Sequence, residues 1–148
     1  MVNRANCLYL ADKIEALPLG KLGSFFNTNS KLCPSHSFTM ETYYDLCGTP
    51  ACIAGHAAAE EMGVKKFSIN SSRRCNYVDV VIQKACKYLG IVEDDSLQHE
   101  LFYPSKNLDK ITPTEAAVAL RKVAEIPEDI KDSELLSFEK TIWSHLQP

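Results

Sequence analysis

Proline and glycine stand in this chain where helix-periodic apolar segments start or stop, and that punctuation limits it to a set of short helices. Residues 3–16 place Leu8, Ala11 and Ile14 on one face, and Pro18 and Gly20 end the pattern. Thr49 and Pro50 supply an N-cap and a first-turn proline for a second helix, which Gly63 closes. Its interior is rich in Ala and Gly, which let another backbone approach closely, so a central position is expected. Val78, Val81, Ile82, Ala85, Cys86 and Leu89 predict a third helix over 77–89, ended by Gly90. Asp94 or Asp95 caps a fourth that runs through Phe102 to Pro104. Thr112, Pro113 and Glu115 give the fifth its cap, its proline and its capping-box acid, ahead of a face of Ala116, Ala117, Leu120, Val123 and Ala124. Asp132 or Ser133 caps the last, which carries Leu135, Leu136, Phe138, Ile142, Trp143 and Leu146.

Residues 17–46 are the exception. This connection is rich in Gly, Pro, Asn and Ser, yet it contains Leu19, Leu22, Phe25, Phe26, Phe38, Tyr43 and Tyr44. A structureless loop of this length is uncommon in a compact domain unless it has a function. Alternation of Phe38, Met40, Thr42 and Tyr44 with their neighbours is compatible with a short strand, and Phe67 and Ile69 could pair with it. The expected fold is therefore mainly α, a small helical domain of about five to six helices with room for one short β-hairpin. At 148 residues the chain is expected to form a single domain, 1–148, burying roughly two thirds of its unfolded surface.

The net charge of −3 lacks the basic excess of a phosphate-backbone binder, so nucleic acid is not an expected partner. No run approaches the roughly 18 apolar residues of a membrane span. Met1-Val2-Asn3-Arg4 leads into a helical pattern with Asp12, Lys13 and Glu15 rather than an apolar export signal, and the expected location is the cytoplasm. The six cysteines form an even set, which fits disulfides, but a reducing compartment opposes them. Cys7 and Cys86 fall within apolar helical patterns, where a free thiol acts as a small core residue.

The segment Cys47-Gly-Thr-Pro-Ala-Cys52-Ile-Ala-Gly-His56-Ala-Ala-Ala-Glu60 carries the most chemical information. Cys52 falls at a helix start, where the dipole and unpaired amides favour a thiolate, and His56 follows four residues later on the same face. Three readings compete. In the first, Cys52 and His56 are packing residues of a small-residue helix. In the second, Cys47, Cys52 and His56 ligate zinc, with Cys33, Cys75 or His36 as a fourth ligand, although Cys-x4-Cys-x3-His is not a familiar zinc spacing. In the third, Cys52 is the nucleophile of a hydrolase or transferase resembling the papain class, with His56, His36, His99 or His145 as base. Motifs without context mislead often, and packing is the leading reading.

The block CGTPACIAGHAAA resembles a motif of uncharacterised small phage and bacterial proteins that share a Cys-Gly-Thr-x-x-Cys-Ile-Ala-Gly-(Trp or His)-Ala core. Those proteins continue with a Leu-Gly-(Leu or Ile) helix end, a Leu-Phe-x-Pro turn and an Ile-Thr-Pro-x-x-Ala-Ala helix. Here the counterparts are Leu89-Gly90-Ile91, Leu101-Phe102-Tyr103-Pro104 and Ile111-Thr112-Pro113-Thr114-Glu115-Ala116-Ala117. The similarity covers residues 47–124 and leaves 1–46 and 125–148 as additions packed on it. It implies no assigned activity, and it gives weight to Cys47 and Cys52 as a packed pair, a disulfide or a partial metal site; the expected cofactor is none, with zinc as the alternative. Trp at the place of His56 in such proteins speaks against a catalytic or ligand role for this histidine. The resemblance, with the lack of a complete catalytic set, leads to the expectation of a non-enzymatic accessory protein of phage or prophage type that binds a host protein. Inhibition of a host defence system such as CRISPR-Cas is one such role.

Other signals are weaker. Arg73 and Arg74, with Lys65 and Lys66, read as solvated charge on a loop. Glu93, Asp94 and Asp95 read as a helix start. Asn70-Ser71-Ser72 matches the glycosylation pattern, which carries no meaning in a cytoplasmic protein. Phe138, Ile142 and Trp143 are expected in the core rather than on a binding stripe. There is no phosphate loop, dinucleotide fingerprint or zinc-protease motif.

Overall fold

The computed structural model describes residues 2–17, 52–63, 74–104 and 111–146, with the side chains of 74–80 excepted. Six helices lie in these residues: α1 (Arg4–Glu15), α2 (Ile53–Met62), α3 (Arg74–Leu89), α4 (Ser96–Phe102), α5 (Pro113–Ala124) and α6 (Asp132–Glu139). Among the described residues there is no strand, and the fold is mainly α. The hairpin expected from 38–44 with Phe67 and Ile69 lies outside them, as does the rest of the 17–46 connection beyond Leu17. No described helix is long and apolar enough to cross a membrane.

Two helix pairs make up the body. α1 packs chiefly on α5, and α2 on α3, while α1 also touches α2 and α3 and so joins the pairs. The buried face of α1 is Cys7, Leu10, Ala11 and Ile14, an i, i+3, i+4, i+7 stripe. Opposite it α5 buries Ala116, Ala117, Ala119, Leu120, Val123 and Ala124, with mostly small side chains that bring the two backbones close. Residues Ile53 to Ala58 of α2 are buried without interruption, the mark of a helix enclosed on most sides and the central position expected of it.

Local chemistry fixes most of the ends. Thr112 Oγ1 accepts from the Glu115 amide at 3.2 Å, while the Glu115 carboxylate accepts from the Thr112 amide at 3.1 Å, completing the expected capping box. Gly63 and Gly90 stop α2 and α3 in left-handed backbone, with φ of +69° and +72°. After Gly90 the Ile91 amide reaches back to the Cys86 carbonyl at 3.0 Å, a Schellman closure. The end of α3 also receives α1: Asn3 N–H donates to the Leu89 carbonyl and Asn6 Nδ2 to the Tyr88 carbonyl, both at 2.8 Å. Orphan carbonyls at one helix end thus become the anchor for another helix's start.

Three helix starts differ from the sequence reading. α2 begins at Ile53, with Cys52 rather than Thr49 as N-cap, and Thr49 and Pro50 lie outside the described residues. Cys52 is in the core at 3 % exposure, and packing rather than capping chemistry places the start. α3 starts at Arg74, earlier than residue 77. At α6 the N-cap is Lys131, with no side-chain cap bond, and Asp132 is already helical, where its charge still favours the positive helix end. The fourth helix is capped by Asp95, whose carboxylate takes the Ser96 amide at 2.8 Å.

α6 also ends earlier than the apolar pattern does. Past Glu139 the chain continues as tight turns with amides bonding three residues back, from Thr141 to Phe138, Ser144 to Thr141 and Leu146 to Trp143. These turns still bury Ile142 and Trp143, and Phe138 packs against the core, as expected of them. Trp143 Nε1 donates to the Glu100 carbonyl of α4 at 2.8 Å, which satisfies the indole inside the core.

Ion pairs join neighbouring helices. Arg121 of α5 forks onto Glu15 at 2.9 and 3.2 Å and onto Asp12 at 2.9 Å. Its hydrogen bond holds the Glu15 carboxyl below its ordinary range. Lys13 pairs with Glu60 between α1 and α2, and Lys87 with Glu61 between α3 and α2. These pairs are partly exposed and set register more than stability. Truncation of the interior is expected to cost far more. Leu120→Ala should lower unfolding free energy by roughly 2–5 kcal/mol, and Thr112→Ala by about 1 kcal/mol. Urea denaturation followed by circular dichroism checks both, and equal losses would contradict the assignment of the α1–α5 interface as the core.

Candidate functional site

The start of α2 places Cys52 and His56 one turn apart, and both are buried, at 3 % and 6 % exposure. The Cys52 carbonyl accepts the His56 amide at 2.9 Å, the first hydrogen bond of the helix. Burial is the largest influence on the thiol and pushes it up to about 11. The amides of Gly55 and Ala54 oppose this by favouring the thiolate, which is the helix-start effect expected from the sequence. Desolvation outweighs it, so Cys52 is a neutral thiol at neutral pH.

The other described cysteines behave alike. Cys7, Cys52 and Cys86 are free thiols, all buried. Burial holds Cys7 up to about 12. Cys86 is raised to about 11, by burial first and then by the negative charges of Glu93 and Asp94. Their sulfurs lie 3.9 Å from the Leu89 carbonyl and 3.8 Å from Gln98 Oε1, long contacts suited to weak S–H donors. Cys7 and Cys86 are the small core residues anticipated for them.

Of the zinc set, Cys52 and His56 are placed, whereas Cys47, Cys33 and His36 lie outside the described residues, and so does the side chain of Cys75. Among the described residues no three His, Cys, Asp or Glu side chains gather as a metal group. The remaining histidines are held elsewhere. His99 is exposed on α4. His145 Nε2 lies 2.8 Å from the Glu115 carbonyl, so it must donate there, which leaves Nδ1 to accept from Lys122 Nζ at 3.3 Å.

A second feature was not anticipated from the sequence. Val2, the α3–α4 turn and the α5–α6 loop enclose an open cleft of about 170 Å³. Its walls are Ile91, Leu97, Ile126, Ile130 and Leu135 together with Val2, and Asp95 and Glu128 stand among them. The signal was present as acidic pairs set beside isolated aliphatic residues, Glu93-Asp94 after Ile91-Val92 and Glu128-Asp129 between Ile126 and Ile130. Only folding brings those two stretches together. Comparison of the chain with protein-family models, with curated proteins and with solved structures gives no match.

The thiols set a pH dependence. In the unfolded chain a cysteine ionises near its ordinary value of 9.0, whereas the folded chain keeps these protons to about 11 or 12. Above that ordinary value the unfolded chain binds fewer protons than the folded one, so stability is full below it and is lost as pH rises through the folded values. Denaturant midpoints should fall across that window, and Cys52→Ala should flatten the fall. An unchanged slope in the variant would show that Cys52 is not a buried neutral thiol. Native mass spectrometry of reduced protein is expected to give the bare chain mass. Extra mass matching zinc, lost on denaturation, would instead make Cys47, Cys52 and His56 ligands.

Proposed function

We propose that this chain is a non-enzymatic accessory protein of phage or prophage type, working in the cytoplasm by binding a host protein and needing no cofactor. The observation that carries the reading is the state of Cys52. A nucleophile needs exposure and a depressed pKa, and this thiol has neither. The cleft between the α3–α4 turn and the α5–α6 loop, by contrast, is lined mostly by aliphatic side chains with Asp95 and Glu128 among them, a composition that suits protein recognition. The phage assignment, and its narrower form as an inhibitor of a host defence such as CRISPR-Cas, rest on the resemblance of the motif set in residues 47–124.

Phage plaquing on cells with an active CRISPR-Cas system, with and without this chain, tests the reading. Expression should raise plaquing, and Cys52→Ser should preserve the effect as long as circular dichroism shows folded protein. The buried hydroxyl is expected to cost about 1–3 kcal/mol of stability. If a folded Cys52→Ser variant loses the effect, the thiol takes part in chemistry and the binding-only reading fails. If the unaltered chain has no effect on plaquing, the defence-inhibitor form is withdrawn.

A further inference from the structure

Acidic residues are concentrated in the two stretches that form the cleft, and Asp95 and Glu128 line it directly. The α3–α4 turn contributes Glu93, Asp94 and Asp95, and residues 125–135 contribute Glu125, Glu128, Asp129, Asp132 and Glu134, against Lys131 alone. These two stretches carry a net charge of −7 in a chain whose total is −3, which leaves the remainder at +4. The negative field is already felt inside the protein, since Glu93 and Asp94 help to raise the Cys86 thiol.

Helix capping explains only part of this. Asp95 caps α4, and Asp132 and Glu134 occupy the first turn of α6, where acids are favoured. Glu125 is at the opposite pole, the C-cap of α5, where a carboxylate meets helix carbonyls and opposes the dipole. Glu93, Asp94, Glu128 and Asp129 are exposed and cap nothing. Capping therefore does not account for Glu125, Glu128 and Asp129, and Glu128 lines the apolar cleft beside Asp95.

The lip is also held in shape. Asp94 has a φ of +60°, and its amide donates to Gln98 Oε1 at 2.7 Å. Gln98 is itself buried, so it fixes the turn from below, with Val92 turned outward at 64 % exposure. A surface already in its binding geometry loses less entropy when a partner arrives.

We infer that this cleft binds a cationic segment of a partner protein, inserting one large apolar side chain between the α3–α4 turn and the α5–α6 loop while its lysines and arginines meet the acidic rim. The inference rests on the protein-binding reading above and names the surface and the chemistry of its partner. The size fits: a protein cavity of about 150 Å³ takes a benzene ring, and this one is about 170 Å³. The sign of the charge excludes a nucleic-acid backbone and an anionic lipid surface. A second copy of the chain fits less well. An acidic face on a basic face is a heterologous contact, which extends into filaments unless its rotation closes a ring.

The test uses the full chain and a fluorescein-labelled Lys/Arg-rich peptide with a single central phenylalanine. Fluorescence anisotropy should show saturable binding that weakens as salt is raised. The amide resonances of Ile91, Leu97, Ile126 and Ile130 should shift on titration. Replacing the peptide's phenylalanine by alanine should weaken binding about tenfold or more. Val92→Lys and Glu128→Lys, both at exposed positions, should each weaken it by about tenfold with the fold intact.

Equal binding of a Glu-rich peptide of the same pattern would overturn the inference. So would absence of binding, shifts mapped away from the cleft, or sedimentation showing a self-association that Val92→Lys abolishes. Failure of the peptide with plaquing still raised would remove the cleft as the docking surface and leave the protein-binding reading standing. Loss of the plaquing effect in folded Cys52→Ser would remove that reading on separate grounds.

Discussion

The contact between α1 and α5 is the constraint that ties the two ends of the described helical body together. It brings together residues more than a hundred positions apart, as the Arg121 fork onto Asp12 and Glu15 makes plain. Closing so long a loop costs on the order of 4 kcal/mol in chain entropy. Burial of Leu10, Ile14, Leu120 and Val123 offsets it, at about 1.5–3 kcal/mol for each large side chain buried. Once α1 is seated, its start supplies donors to the end of α3, and its other contacts reach α2. α1 therefore links the helix pairs that sequence order keeps apart.

Burial on this scale decides the chemistry of the cysteines. A helix start and a nearby imidazole would make a reactive thiol at a surface. In the core the thiol stays protonated, because removing solvent penalises the thiolate more than a few amides can reward it. Sequence spacing reported correctly that Cys52 and His56 stand a turn apart. It could not report how much of α2 is enclosed, and enclosure is what separates a nucleophile from a core residue. Carboxylates such as Glu93, Asp94, Glu128 and Asp129 stand instead on the outside.

Legibility followed the range of the interaction. Thr112 and Glu115 satisfy each other within four residues, so α5 could be read from its own letters, and Gly63 and Gly90 marked their stops for the same reason. The start of α2 could not, because Cys52 is placed by what packs on it rather than by a cap. The last segment misled in a different way. Leu135, Phe138, Ile142 and Leu146 have helical spacing, but three-residue turns past Glu139 present the same side chains inward without continuing α6. The cleft was the least legible feature, since its two walls are separated by some thirty residues of chain that carry no mutual signal.

Trp143 is the chain's single tryptophan, and it is sealed in the terminal turns with its indole nitrogen bonded across to α4. Nature has thereby placed one fluorophore at one joint. Its emission reports the seating of the C-terminal turns against α4 and is not diluted by signal from any other indole. Departure of those turns would wet the ring and shift its light to the red. Intrinsic fluorescence and helical ellipticity therefore follow different parts of this molecule, and any gap between the two curves measures how tightly its last residues are coupled to the rest.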